Sequence, residues 1–335
     1  MAVLVCGGAG YIGSHAVAQL LDRNQEVVVI DNLQKGHREA VLGGAAFYSG
    51  DLRDEAFLDN VFKENDIGSV IHFAADSLVG ESVEDPLKYY DNNVYGTTCL
   101  LRTMAKYEVK NIVFSSTAAV YGEPEQIPIY ETDSTVPTNP YGETKLAIEK
   151  MLNWAERAHG IRHIILRYFN VAGSDHEGRL GEDHDPETHL IPIILQVALG
   201  KRDNILIFGD DYGTEDGTCV RDYIHVTDLV EAHLIAIEKL KAGHRSSVYN
   251  LGNGKGFSVK EVIEATRRVT GQEIPAQVVA RRAGDPAKLV ASSEKAFREL
   301  GWEPKYANLE AMIGTAWNWF KENPDGYSNQ EKSYA

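Results

Sequence analysis

Short apolar runs, each closed by glycine or a polar residue, alternate with stretches of helical spacing through the first half of the chain. Val3-Leu4-Val5-Cys6 runs straight into Gly7-Gly8-Ala9-Gly10-Tyr11-Ile12-Gly13, and Ser14 to Arg23 then has the spacing of a helix. The runs Glu26 to Ile30, Ala46 to Ser49, Ser69 to Phe73, Asn111 to Ser115 and His163 to Leu166 predict further strands. Helices are expected from about Asp54, over Pro86 to Tyr107 and from Pro140. Repeated strand-helix units predict an α/β fold on a doubly wound parallel sheet. Ligands of such sheets sit at the carboxyl ends of the strands. Asp51, Phe73-Ala74-Ala75, Ser115-Ser116-Thr117 and Phe169-Asn170 fall at those ends and are expected to line one crevice.

Beyond Asn170 the pattern loosens. Gly173 to Thr188 is polar and acidic, Ile191 to Leu199 has helical spacing, Asp210 to Gly217 is rich in turn residues, and periodicity returns at Val226 to Leu240 and Val259 to Val269. The expected division is a Rossmann-type sheet domain of residues 1–172 and 220–250, and a smaller mixed α/β domain of 173–219 and 251–335. Tyr327 to Ala335 reads as a disordered or tag-like tail, and no internal repeat is visible.

Composition changes this picture little. A chain of 335 residues that is 43% hydrophobic can bury a large core. It has no run of 18 apolar residues, and it enters its first strand without a basic leader, so an unexported, cytoplasmic protein is expected. Cys6, Cys99 and Cys219 are few and far apart, which suits a reducing compartment and a packing role. A net charge of −16 argues against nucleic acid and anionic membrane as partners.

The glycine run carries the first candidate chemistry. Gly7 permits a tight turn, Gly10 lets a phosphate approach the backbone, and Gly13 lets helix pack close to strand, with a pyrophosphate over the helix N-terminus. Asp31 closes the second strand at about the ~20-residue offset of an acid that holds an adenosine ribose. The ligand expected is a dinucleotide. A carboxylate on the ribose hydroxyls repels a 2′-phosphate and favours NAD over NADP, a preference that Lys35, His37 and Arg38 nearby weaken. The second candidate is Tyr141-Gly142-Glu143-Thr144-Lys145, the one tyrosine in the chain followed four residues later by lysine. On a helix the two side chains share a face, where an ammonium can lower a phenol by roughly 1–3 units and make a base.

GGAGYIG, Asp31, the Ser-Ser-Thr strand end and Tyr141-Lys145 together resemble the extended short-chain dehydrogenase/reductase family over nearly the whole chain. His72-Phe73-Ala74-Ala75, Val79-Gly80-Glu81-Ser82, Tyr89 to Val94, Leu166 to Asn170, Asp216 to Val226, Tyr249 to Gly252 and Arg281 to Asp285 narrow the resemblance to its UDP-sugar 4-epimerases. The resemblance implies interconversion of UDP-galactose and UDP-glucose through a transient 4-keto sugar with bound NAD, with Tyr141, Lys145 and Thr117 catalytic. Thr117 stands where the family more often has serine. Implied at the cofactor are Tyr11, Ile12, Asn32, Asp51, Leu52, Phe73, Ala74, Ala75, Asn92 and Phe169, beside the glycines and Asp31. Ser77 stands where relatives can have lysine. Implied at the nucleotide-sugar are Arg221 and Arg282 on the diphosphate, Asp285 on the uridine ribose, and Asn170, His189, Leu190, Phe208 and Tyr223 around them. Leu289 falls at a wall position where tyrosine in some relatives excludes an N-acetyl group, so UDP-N-acetyl sugars enter the expected range.

Related activities fit less well. A nucleotide-sugar 4,6-dehydratase typically has an acid pair just after the Thr117 position, where this chain has Ala118 and Ala119. UDP-glucuronate decarboxylation is a further alternative on the same fold, and a non-catalytic dinucleotide sensor has no use for Tyr141, Lys145 and Thr117 together. The acidic run Gly181 to His189 lacks HExxH spacing, Glu182 to Asp185 reads as solvated loop, and the implied hydride chemistry needs no ion, so no metal is expected. Family members commonly form homodimers through two helices, here around Tyr89 to Tyr107 and Tyr141 to Ala158. Leu100, Leu101, Met104, Leu146, Met151, Leu152 and Trp154 give those segments apolar residues on more than one face.

Overall fold

The computed structural model describes residues 1–282 and 285–327. The apolar runs become β1 (Ala2–Cys6), β2 (Val27–Asp31), β3 (Ala46–Ser49), β4 (Ile67–His72), β5 (Asn111–Ser115) and β6 (Arg162–Tyr168), and Ser247–Leu251 adds a seventh strand. The described residues form one parallel sheet in the order Ser247–Leu251, β6, β5, β4, β1, β2, β3. Its direction of growth reverses between β1 and β4, and a cleft opens outside the strand ends at such a point.

Both faces are covered, which is why the central strands are apolar throughout. Val3, Val5, Val27 and Val29 pack with Val17 and Leu20 of the helix Tyr11–Asp22 and with Leu229 and Ile237 of Val226–Lys241. The alternate residues Leu4, Cys6, Val28 and Ile30 face Leu58, Leu100, Met104, Ile148 and Leu152, from the helices Glu55–Glu64, Gly96–Lys106 and Pro140–His159. The last of these has clear signals at both ends. The Asn139 side chain accepts from the Gly142 N–H at 2.9 Å, Pro140 sits in the first turn, and Gly160 at φ 69° ends it.

The expected helix from Pro86 to Tyr107 contains a wide turn. Tyr90–Tyr95 is π-helical between Pro86–Tyr89 and Gly96–Lys106. Its Asn93 turns inward, accepts from the Asp76 N–H at 2.8 Å and donates to the Asp76 carbonyl at 3.0 Å. Spacing alone does not reveal such a turn, because it adds a residue without breaking the helix.

The smaller lobe has its own core. Ile194, Leu195, Val262, Ile263, Ile313 and Trp319 come from the helices Leu190–Ala198, Val259–Thr270 and Leu309–Glu322, beside the paired strands Ile205–Phe208 and Ala276–Val279. The helix Glu294–Leu300 instead returns to the large sheet, where Ala296, Leu300 and Trp302 join its core. Tyr327 overturns part of the tail reading: it is buried, accepts from the Gly181 N–H at 3.0 Å and donates to the Gly181 carbonyl at 3.1 Å. The remainder of that segment lies outside the described residues.

One buried polar chain crosses from the helix Pro140–His159 to the last strand. Arg167 on β6 donates to both oxygens of Glu149 (2.9 and 2.5 Å) and to the Tyr121 hydroxyl (2.8 Å). Tyr121 donates in turn to Asn250 at 2.7 Å. Ser116 donates to Glu149 at 2.6 Å. With both charges buried, removing one partner costs more than the pair contributes. Arg167→Ala should lower unfolding stability by about 3–5 kcal/mol in urea titration, and the apolar double variant Glu149→Leu/Arg167→Met should recover most of that loss.

Candidate active site

The glycine turn after β1 is fixed by contacts that allow no side chain. Gly7 sits at φ +79°, and a Cβ there would lie 2.6 Å from the Ala74 nitrogen; a Cβ on Gly13 would lie 2.0 Å from the Gly7 carbonyl oxygen. Asp31 is tied to the same turn, accepting from the N–H groups of Ala9 (3.0 Å) and Leu33 (2.8 Å), while burial raises its pKa. A cavity at this edge is lined by Gly7, Gly10, Asp31, Asn32, Asp51 and Leu52 on one side and Phe73, Ala74, Ala75 and Asn92 on the other. Ten residues expected at the cofactor therefore converge. Gln34, Lys35, Gly36 and Asp76 line the cavity too and were not expected there, although Lys35 follows Asp31 closely enough to have been weighed for charge. Arg53 and Asn32 hold the Asp51 carboxylate well below the usual range. Tyr11 and Ile12 open the helix beyond the turn, with the Tyr11 hydroxyl donating to the Gly173 carbonyl at 2.5 Å.

Thr117 follows β5, and its hydroxyl accepts from the Ala119 N–H at 3.1 Å. Gly142 lets the first turn of the tyrosine helix lie on this segment, because a Cβ there would stand 2.6 Å from the Ala119 carbonyl oxygen. Tyr141 thereby comes close to Thr117, whose side chain acts to lower its pKa. Lys145, one turn on, donates to the Ser115 carbonyl at 2.9 Å, with Nζ 4.9 Å from the Phe114 ring centre and 5.9 Å from that of Tyr141. The expected depression of the phenol is not what the chain alone produces. Burial pushes Tyr141 up to about 12 against the opposing Thr117 side chain, and pushes Lys145 down to about 7 against the pull of Glu149. Desolvation exceeds pairing here because the amine spends its bond on a carbonyl. Glu149 repeats the Tyr141-Lys145 interval on the same helix face, a signal that reading the pair alone passed over.

Phe169 and Leu289 pack against the buried Ala118, Val120, Tyr121, Ile129 and Leu146 beside Thr117. Asn170 opens a short strand, Asn170–Ala172, paired in parallel with Tyr223–His225, and Tyr223 is buried. Leu190 begins the helix Leu190–Ala198. The Arg282 guanidinium stands 3.9 Å from the centre of the Phe208 ring. Arg221 and Asp285, expected on different parts of a ligand, form a salt bridge with each other. His189 directs Nδ1 toward Glu182 (2.8 Å) and Glu187 (3.2 Å). The solvated-loop reading of Glu182 to Asp185 fails at Glu182, whose side chain is only 5% exposed, and the Glu187 side chain is covered as well, at 4%. The two carboxylates hold His184 and His189 up to about 9 and about 10 in spite of burial. Ser77 is exposed.

A switch-point cleft bounded by a ribose-side acid and a tyrosine-lysine helix defines a dinucleotide-dependent enzyme of the short-chain dehydrogenase/reductase class. Residues 3–252 match the family described as NAD dependent epimerase/dehydratase, and the chain belongs to it. It is 63% identical over 332 residues to the UDP-glucose 4-epimerase of Halalkalibacterium halodurans, covering 99% of each chain. A solved UDP-glucose 4-epimerase shares 60% identity at a TM-score of 0.97 over 98% of this chain and all of that one. The UDP-glucose 4-epimerase from Brucella ovis, solved in complex with NAD, shares 47% identity at 0.92 over 95% and 98%.

Proposed function

We propose that the chain interconverts UDP-galactose and UDP-glucose at carbon 4, as a step of galactose metabolism, with NAD held throughout turnover. The observation that carries this reading is the meeting of Tyr141 with Thr117 at the sheet edge that also holds the glycine cavity. The cavity suits the dinucleotide: Gly7 and Gly13 let strand, turn and helix close up where a Cβ would strike backbone, and Gly7, Gly10 and Asp31 line the space beside that turn. Bound there, NAD supplies reversible hydride transfer at the sugar carbon. The chain's own residues do the rest.

Tyr141 Oη takes the proton of the 4-hydroxyl and later returns one to the opposite face of the 4-keto sugar. Thr117 holds the reacting oxygen in line. Lys145, whose charged form Glu149 supports against burial, favours the phenolate that burial alone disfavours, as would the positive charge of a bound oxidised nicotinamide. Arg282 and Arg221 take the diphosphate, whose oxygens suit a guanidinium fork. For Arg221 this means exchanging Asp285 for phosphate, which frees Asp285 for the uridine ribose. Asn170, Leu190, Phe208 and Tyr223 wall the sugar nucleotide. On this division residues 1–172 and 220–250, with the helix Glu294–Leu300 docked on them, serve the dinucleotide. Residues 173–219 and most of the segment from 251 serve the sugar nucleotide.

A homodimer suits the surface, though of the apolar residues first expected only Trp154 is exposed. Leu100, Leu101, Met104, Leu146 and Leu152 are buried within the chain itself, whereas Trp154 (66% exposed), Tyr90 and Tyr95 stand out on the two expected segments, and Val83 (63%) and Leu87 (78%) stand out on the short helices Val79–Glu84 and Pro86–Tyr89 that lead into the first of them. We place the dimer contact there. Cytoplasmic residence is proposed from the three cysteines, all buried and unpaired. No helix among the described residues is long and apolar enough to cross a membrane.

Three outcomes follow. Denaturing the purified protein should release NAD, and the intact enzyme should turn over UDP-galactose without added cofactor; Tyr141→Phe should keep the NAD and lose about 10²–10⁴ in kcat, and near-normal turnover by that variant refutes the assignment of the base. Leu289 leaves more room than tyrosine beside Phe169, so UDP-N-acetylglucosamine should also be a substrate. Leu289→Tyr should cut its kcat/KM about 10–200-fold relative to UDP-glucose, measured in parallel assays. Light scattering should give a dimer that Leu87→Asp/Trp154→Ser converts to monomer, and a monomeric wild type at micromolar concentration rejects the interface.

A further inference from the structure

We propose that Glu182, His184, Glu187 and His189 bind one divalent transition-metal ion, zinc by preference, and that this ion clips the loop 181–189 to the lip of the dinucleotide cleft. Both carboxylates are buried, and the Nδ1 atoms of both histidines are shut off from solvent without a hydrogen-bond partner of adequate geometry. All four donor atoms lie within 4.8 Å of one another. His184 Nδ1 stands 3.2 Å from Glu182 Oε1 and 3.7 Å from Glu187 Oε2, and His189 Nδ1 stands 2.8 Å from Glu182 Oε1 and 3.2 Å from Glu187 Oε1. A tetrahedron with metal-ligand bonds of about 2.0–2.1 Å has edges of about 3.3 Å, so four of its six edges lie within about 0.5 Å of that length. The exception within this set is that Glu187 offers different oxygens to the two histidines, which one small carboxylate rotation resolves.

Donor type points to the ion. Two imidazoles with two carboxylates suit zinc and its neighbours, whereas calcium and magnesium favour all-oxygen shells. Four protein ligands close the shell, so the ion is structural and offers no place to substrate. Its position gives it an effect at a distance. The His184 ring meets Tyr11 edge-on at 6.2 Å, at the helix start where a pyrophosphate would lie. Lys35 Nζ donates to the Asp185 carbonyl at 2.9 Å, and His37 Nε2 approaches the Asp183 carbonyl at 3.1 Å. His189 immediately precedes the helix Leu190–Ala198. The ion would therefore join three elements: the loop after β2, the helix after the glycine turn and the first helix of the smaller lobe.

The test uses the full chain, purified without a histidine tag. Elemental analysis should find close to one zinc per chain. After chelation and removal of the chelator, cobalt(II) should bind at one equivalent with the intense visible bands of a tetrahedral site. Zinc should restore a melting temperature that chelation lowered by several degrees. His184→Ala and the gentler Glu187→Gln should abolish the cobalt bands. Failure of the folded, metal-free wild type to take up one equivalent of zinc or cobalt overturns the proposal, since the four groups are then only ion pairs. Uptake that both variants retain in full overturns it equally, because the ion then binds elsewhere. Neither readout depends on epimerase turnover, so the two proposals fail separately.

Discussion

The carbonyl oxygen of Gly7 occupies the space that a side chain on residue 13 would need, and that exclusion organises the cleft. Because the helix can approach so closely, the turn between them becomes a hub of main-chain bonds. The Gly7 N–H donates to the Ile30 carbonyl at 2.8 Å, the Cys6 carbonyl accepts from Phe73 and Ala74 at 2.9 and 3.0 Å, and the Ala9 carbonyl accepts from His37 at 2.9 Å. One turn thus sets the ends of β1, β2 and β4 relative to one another. The Asp31 carboxylate adds a fourth tie through Ala9. The rigidity of a cofactor site here comes from backbone contacts, which tolerate far less than side-chain packing does.

The chemistry is held from below in a different manner. Tyr141, Lys145 and Glu149 stack along one helix face, and Arg167 closes the column from β6. Burial works against every charge in it. Lys145, already down at about 7 with Glu149 beside it, would fall further without that carboxylate, and Glu149 would be stranded without Arg167. Each group answers the cost of the next, and the column ends at Tyr121, Asn250 and the Ile129 carbonyl. A proton-transfer group at the top can then be tuned by ligands that bring their own charge, because the residues beneath it have few ways to move.

The strand-helix alternation and the glycine turn were legible in the sequence because their signals are local: apolar runs, a glycine triplet, a proline at Pro140. The residues of the cavity could be named because parallel strands deliver their ends to one edge. What the sequence hid depends on distant contacts. Glu149 and Arg167 are ordinary charged residues until β6 is set beside the helix. Arg221 and Asp285 could each be assigned to a ligand, but their mutual pairing could not be seen. Glu182 looked solvated because polarity is read residue by residue, whereas the fold buries it. The same limit applies to the aromatic and aliphatic surface. Leu100 and Leu87 look alike in sequence, yet one lies in the core and the other is open.

The widened turn at Tyr90–Tyr95 ties the length of the chain to its function. It presents Asn92 to the cavity and buries Asn93 against Asp76, and it hands the chain on to a helix that packs Leu100 and Met104 beneath the sheet. Deleting a single residue there would rewind the turn to an ordinary helix and rotate one flank against the other by about 100°. Either the asparagines would leave the cleft or the leucine and methionine would leave the core. Natural gains and losses of residues should therefore spare this segment and collect in the loops of the smaller lobe, even where point substitutions pass freely.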